Sequence, residues 1–323
     1  MQDYVFNSQC VVPPYTHLDQ AKTHIIELLR ALAELDAAEE VLPTLRMDSD
    51  PWILPLLTSD GRERSLGEVV HELYCTDDHD VASYFDALNR AIPSDSGFDG
   101  SVIDAILRLE VTGPAPNEES CFASVQRAQL HAFICAVTNS VLTSLPRDST
   151  WDYDRMAFVS YGETFSFDHV AQIAHAISIQ ERRIAGVRAS LDPRSFASLR
   201  DRAFPNLQFG SDVDTQVSRF NAILLPLLFK RLAELDNKVV IWRSRSCACY
   251  PDGSPEVARE SLATMQKYSE ARRFRDSDGQ MRTFEEHVWI DRTHRIHLFR
   301  DMNARRIEIG YVGPHLPTIT DPT

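Results

Sequence analysis

Apolar residues recur at helical spacing along most of the first 237 positions. Leu18, Ala21, Ile25, Leu28, Leu32 and Leu35 follow one another three or four apart, which puts them on one stripe of a helix. Thr16 with Asp19 has the form of a capping box at its start, and Pro43 stops it. Helical patterns continue over about 66–75 and 79–91, and Ser101 with Asp104 opens another short helix before Pro114 and Pro116. Over 118–145 the chain is apolar nearly all round, through Val125, Phe133, Ile134, Val137, Val141 and Leu142, the pattern of a helix central to a core. Ser166 reads as the cap of a helix carrying Val170, Ile173, Ile177 and Ile184, and Asp192-Pro193 opens the next. A last long helix is expected over 214–235 with Pro226 as a kink, and the best strand signal before it is short, 157–160.

The pattern changes at Lys238. KVVIWRSR (238–245) reads as a strand, Ser254-Pro255-Glu256 starts a helix reaching about Arg272, and Asp278-Gly279 is a turn dipeptide. Strand patterns follow at 282–290, 295–300 and 306–312. Alternation places Val288, Ile290, Ile296, Leu298, Ile307 and Ile309 on one face, expected to pack against the 255–272 helix. The opposite face presents Glu285, His287, Trp289, Arg295, His297, Phe299 and Glu308, with Tyr311 and His315 at the exit of the last strand. The expected fold is α+β: a large all-helical domain over 1–237, then a small β-α-β-β-β module with an antiparallel sheet over 238–323.

At 323 residues the chain exceeds what one core usually serves, which agrees with two domains. The net charge of −14 is unevenly spread: 1–237 hold 19 Lys and Arg against 35 Asp and Glu, whereas 238–310 hold 14 against 11. A polyanion is therefore repelled by the first part and tolerated by the second. No stretch approaches 18 uninterrupted apolar residues, and the first twenty residues lack a basic segment followed by an apolar core, so neither a transmembrane helix nor a secretory signal is expected. Six cysteines spread over a long chain read as reduced thiols of a cytoplasmic protein. There is no P-loop, no G-x-G-x-x-G, no G-x-S-x-G and no H-E-x-x-H, which argues against the common NTPase, dinucleotide and hydrolase classes.

The polar face of the C-terminal strands holds the parts for acid–base chemistry on a phosphodiester. A His or Glu exchanges a proton near neutral pH, Arg stabilises charge on phosphate, and aromatics stack an unpaired base. RNA supplies its own 2′-hydroxyl nucleophile, so neither metal nor cofactor is required. An ordinary half-buried sheet with cross-strand Arg–Glu pairs shows the same alternation.

The order strand, helix, three strands, together with RIHLFRDMNARRIEIGYVGPHL (295–316), resembles the RelE/YoeB branch of the bacterial toxin superfamily, over about 75 residues. The resemblance implies a ribonuclease usually held inactive by a separate antitoxin. It matches Arg295 to the family's phosphate-contacting Arg, His315 to its near-terminal His, and Glu285 or Glu286 to its acid–base carboxylate. The aromatic beside the terminal His is absent, since Pro314 and Leu316 flank His315. The expectation is a toxin-like, metal-independent ribonuclease effector with the acidic region as a regulatory or partner-binding scaffold. Its catalytic candidates are Arg295, His297, His315 and Glu286, and its RNA-binding candidates His287, Trp289, Phe299, Tyr311 and Arg273. The competing expectation is a non-catalytic adaptor in a bacterial assembly, binding a protein partner through the C-terminal sheet.

Three lesser constellations remain. His71, Cys75 and His79 are spaced for one helix face and zinc, but Thr76-Asp77-Asp78 reads as a helix end. Cys247 and Cys249 form a C-x-C that His294 and His297 would have to complete, and a structural pair is the simpler reading. Arg127 and His131 lie one residue short of the R-x(4–6)-H signature of all-helical HEPN ribonucleases, on a helix that reads as buried.

Overall fold

The computed structural model describes residues 2–37, 41–59, 62–246 and 249–321. The chain divides into two compact units, Met1–Glu181 and Arg182–Thr323, rather than at the 237/238 position read from the sequence. No helix among the described residues is long and apolar enough to cross a membrane.

The first unit is built on a sheet, which overturns the all-helical expectation. In chain order its strands are β1 (Tyr4–Phe6), β2 (Thr44–Arg46), β3 (Pro55–Ser59), β4 (Arg62–Ser65), β5 (Asn89–Ala91), β6 (Gly113–Pro114), β7 (Val141–Thr143), β8 (Arg155–Ser160) and β9 (Glu163–Val170). Seven of them form one sheet in the order β5-β2-β1-β7-β9-β8-β6, and β3 and β4 make a separate hairpin. The pairs β5/β2, β2/β1, β1/β7 and β7/β9 are parallel; β8 and β6 add antiparallel edges. The helices are α1 (Leu18–Asp36), α2 (Leu66–Glu72), α3 (His79–Ala87), α4 (Gly100–Arg108), α5 (Phe122–Arg127), α6 (Gln129–Thr138) and α7 (Ile173–Ala189), the last spanning the division between units.

The central strands β1 and β7 are three residues long and buried throughout, so they carry no period of two to read. The segment 118–145 shows the consequence. Asn139, in the left-handed region at φ 54°, ends α6, and Val141 and Leu142 then enter the sheet as β7 rather than continuing a helix. Likewise 163–170 is strand β9, and the helix assigned to Ser166 begins only at Ile173. The capping box expected of Thr16 and Asp19 does not form: α1 follows His17 without a side-chain cap, while Ser65 and Glu68 form a reciprocal capping box on α2.

The second unit contains α8 (Phe196–Ala203), β10 (Leu207–Phe209), α9 (Val213–Ser218), α10 (Leu225–Ser244), β11 (Ala258–Arg259), α11 (Leu262–Tyr268), a hairpin of β12 (Arg273–Arg275) and β13 (Met281–Thr283), then β14 (Glu286–Trp289), β15 (His294–Asp301) and β16 (Arg306–Pro314). Its main sheet runs β10-β16-β15-β14-β11 and is mixed, because β10 pairs parallel with β16. The strand expected at 238–245 is the end of α10. Alternation would bury Val239 with Ile241; the chain instead buries Val239 with Trp242, three apart, and exposes Val240 and Ile241. Pro226 sits in the first turn of that helix, where its missing N–H costs nothing, and makes no kink.

The face assignments drawn from alternation hold in β14–β16, but the covering helix differs. Val288, Ile290, Ile296, Leu298, Ile307 and Ile309 share one core with Leu228, Leu232, Leu235 and Val239 of α10. The 255–272 segment is helical only over α11 and a following 3-10 turn, and it borders the polar face instead. The polar face is thereby left to line a cleft.

Candidate functional site

β14 and β15 set His287 opposite His297 and Trp289 opposite Arg295, and β15 and β16 set His297 opposite Tyr311. A register shift between His297 and Leu298 lets these side chains and the apolar face below both keep their places. Above this floor is a cleft of 810 Å3, lined by His287, Trp289 and Arg295, by Glu260 and Thr264 beside and on α11, and by His315 with the segment to Asp321.

Each group in the cleft has an identifiable support. The Arg295 guanidinium lies over the Trp289 ring and donates from Nη1 to the carbonyls of Asp291 and His294 at 3.2 and 3.0 Å, while its Nε has no hydrogen-bond partner. Burial lowers its pKa to about 10, which leaves it cationic at neutral pH. On Trp289 the His315 ring is stacked, 6.2 Å between centroids, and the His315 backbone amide donates to Thr293 at 2.7 Å. Burial pushes His315 below the ordinary histidine value, helped by Arg295.

His287 is buried, and its Nδ1 faces Glu260 Oε1 at 3.5 Å without forming a hydrogen bond. Burial lowers its pKa, against the pull of Glu260. His297 lies behind it, 5.5 Å between ring centroids, and burial holds it neutral with a pKa of about 3. Its Nδ1–H donates to the Phe284 carbonyl at 3.1 Å, which fixes the tautomer. Phe284 reaches that position because β16 carries Gly310, where a Cβ would lie 2.5 Å from the Phe284 ring.

Two residues that sequence reasoning missed complete the wall. Arg272, fully buried, donates to Glu260 at 2.8 Å and to the Pro317 carbonyl at 2.9 Å, tying the carboxylate to the C-terminal segment. Neither had a signal: Glu260 and Ser261 read as the interior of a helix begun at 254–256, whereas the helix begins only after Ser261, and Arg272 reads as the end of that helix. Among the described residues, Glu260, His287 and His297 are the one trio of His, Cys, Asp or Glu whose ligand atoms lie within 4.8 Å of one another. Arg272 already occupies Glu260, and a second guanidinium, Arg295, stands in the same cleft, so the local charge favours an anion over a metal cation.

The cleft thus gathers Arg295, His315, His287 and Trp289, with His297 and Tyr311 as supports. Tyr311 stacks on Phe274 at 4.8 Å and donates its hydroxyl to the Pro314 carbonyl. Three expected residues lie elsewhere. Glu286 pairs with Leu298 across the strands, so it is on the α10 side, where Arg300 holds it bidentately at 2.8 and 2.5 Å. Phe299 is on the polar face but at its far end, under the Arg282 guanidinium, lining a separate hollow with Glu308. Arg273 is exposed and paired with Glu270 at 3.2 Å. Glu285, the alternative to Glu286, pairs with Arg259.

The lesser constellations resolve differently. His71 is on α2, Cys75 in the turn after it and His79 at the start of α3, and they form no group of metal-ligating atoms. Cys247 is outside the described residues, and Cys249 is a free, exposed thiol. Arg127 donates to the Val12 carbonyl at 2.6 Å and His131 bonds Asp48 at 2.8 Å, so the two serve different partners.

Comparison with known proteins gives no matching family model, no matching curated protein and no matching solved structure.

Proposed function

We propose that the second unit is a metal-independent endoribonuclease of the toxin-like kind, and that the cleft on the polar face of β14–β16 is its active site. The observation that carries the reading is the buried, unbonded Nδ1 of His287 in one cleft with Arg295 and the Trp289–His315 stack. A buried polar atom without a partner is costly, and active sites are where such groups are retained. Charge supports it: residues 182–323 hold 23 Lys and Arg against 18 Asp and Glu, a balance of +5.

In this mechanism neutral His287 takes the proton of a ribose 2′-hydroxyl. The 2′-oxygen bonds to phosphorus, the bond from phosphorus to the 5′-oxygen breaks, and His315, in the minority of molecules in which its lowered pKa leaves it protonated near neutral pH, gives its proton to that leaving oxygen. Arg295 stabilises the charge gathering on the phosphoryl oxygens. Trp289 holds Arg295 and His315 against its ring, and the part of it left exposed meets an unpaired base beside the scissile bond. The products are a 2′,3′-cyclic phosphate and a 5′-hydroxyl. The acidic first unit, ten Lys and Arg against 29 Asp and Glu, serves as a regulatory or partner-binding part.

The test uses purified full-length protein and single-stranded RNA in excess chelator. Cleavage to cyclic-phosphate ends is expected, and His315→Ala lowers its rate by roughly 10²–10⁴-fold with the thermal midpoint unchanged. If the wild type leaves RNA intact, or if His315→Ala cleaves as fast as wild type, the enzyme reading fails and the adaptor reading takes its place.

A further inference from the structure

The parallel strands of the first unit taken in chain order, β1, β2, β5, β7 and β9, lie in the sheet as third, second, first, fourth, fifth. The chain therefore leaves β1 in one direction and resumes on its other side at β7. In open parallel sheets, ligands bind outside the carboxyl ends of the strands at such a reversal.

Here those ends converge on one carboxylate. Ser8 follows β1, Asp48 follows β2 and Ser94 follows β5, while α6 contributes His131. Asp48 accepts from Ser8 at 2.6 Å, from His131 at 2.8 Å and from Ser94 at 2.9 Å. Burial works against its charge, but these bonds outweigh it and hold the pKa at about 2. The Asp48 side chain nevertheless stays 35% exposed and opens on a cavity of 190 Å3. Asp95 stands beside it, and Ile103 and Leu107 of α4 with Leu130 and Ile134 of α6 make the opposite wall.

We infer that this cavity is a second site, one that binds a nucleoside without phosphate, with a ribose hydroxyl donating to the remaining acceptor position of Asp48 Oδ1 and the base lying against Leu107 and Leu130. The end of the second strand is where an acid meets ribose hydroxyls in parallel nucleotide-binding sheets. What excludes phosphate is the first connection. Residues 7–17 contain no glycine, the Cys10 and Val12 amides bond within the segment, and Arg127 and Arg147 are committed to its carbonyls. No Lys or Arg lines the cavity, and the unit's balance is −19. The volume is below the roughly 300–1,000 Å3 of sites for larger ligands, so the nucleoside is only partly enclosed, its base lying over the exposed Leu107 and Leu130 at the mouth.

The experiment is calorimetric titration of the full-length chain with adenosine, AMP and 2′,3′-dideoxyadenosine. Adenosine binds; AMP and the dideoxy compound bind at least about tenfold more weakly, the first through repulsion and the second through lost hydroxyl bonds. Asp48→Asn removes the preference for adenosine over its dideoxy form. Should that variant unfold, Leu107→Ser/Leu130→Ser decides, since both leucines are largely exposed (73% and 51%) and their loss leaves the core intact. AMP binding as tightly as adenosine, adenosine binding unchanged in the double variant, or no adenosine binding at millimolar concentration each overturns the inference. None of these outcomes touches RNA cleavage by the second unit.

Discussion

The two units use the same side chains to opposite ends. In the first, the histidine, acid and serines at the carboxyl ends of the strands hold one another: three donors converge on Asp48 and leave it one acceptor position. In the second, histidine, acid and arginine meet with bonds left over, on His287 Nδ1, His315 Nδ1, Arg295 Nε and Arg272 Nε. The charge balance also inverts, −19 against +5. A nearly filled cluster is rigid and presents its one remaining acceptor position in a fixed place, which suits recognition. An unsaturated one in a cleft keeps lone pairs and protons available for exchange, which suits chemistry.

The strongest way to break this contrast is to exchange the damage. Asp48→Asn leaves RNA cleavage within about twofold of wild type, whereas His287→Asn lowers it by roughly 10²–10⁴-fold. A large loss in Asp48→Asn, measured with a folded variant, ends the division of labour. The pH profile sharpens the same point. Because the folded protein lowers the His287 pKa, the base form persists to more acid pH than an ordinary histidine would allow. The acid limb of kcat/KM therefore falls below the usual histidine value of about 6.5, and an acid limb well above it contradicts His287 as base.

Next in size is the behaviour of the buried imidazoles behind the sites. His297 and, in the first unit, His169 are both held neutral by burial, each with a folded pKa of about 3. In the unfolded chain these rings take up a proton near pH 6.5, so between there and about 3 the unfolded state binds more protons and stability falls as pH falls. Each contributes a loss of roughly 4–5 kcal/mol over that window at most. His297→Gln should flatten the acid side of a stability–pH curve from chemical denaturation; an unchanged curve would remove the claim that this ring stays neutral.

How far the sequence carried depended on period. The polar face of β14–β16 was legible because each strand is long enough to alternate and one side is wet: His287, Trp289, Arg295 and His297 were assigned correctly to one face. Glu286 was misassigned because it was drawn from a resemblance and not from its parity, which puts it with Val288 on the α10 side. The parallel sheet was illegible for the opposite reason. Tyr4–Phe6 and Val141–Thr143 are buried on both faces, and a buried run of three residues has the same appearance in a strand or a helix. Asp48 could not be found either, because its importance lies in strand order, which no local pattern encodes. Arg272 and Glu260 meet only after the chain between them has folded back.

The smallest effect compares two helix caps. Ser65 caps α2 in a reciprocal box with Glu68, its amide donating to the glutamate at 2.7 Å, and α2 buries Leu66, Val69 and Val70 in the core of the first unit. Ser261 caps α11, accepting from the Thr264 amide at 3.1 Å, but α11 buries only Thr264 and forms a wall of the cleft. Removing either hydroxyl costs about 1 kcal/mol of local helix stability. Because α2 is anchored in a core, Ser65→Ala should lower global stability by about that amount and leave RNA binding alone. In α11 the loss stays local: fraying displaces Glu260 and the Thr264 wall before it unfolds the unit, so Ser261→Ala should weaken RNA affinity several-fold with little change in thermal midpoint. If instead Ser261→Ala lowers the midpoint and spares RNA binding, α11 is part of the scaffold, and the cleft is as rigid in kind as the cluster around Asp48.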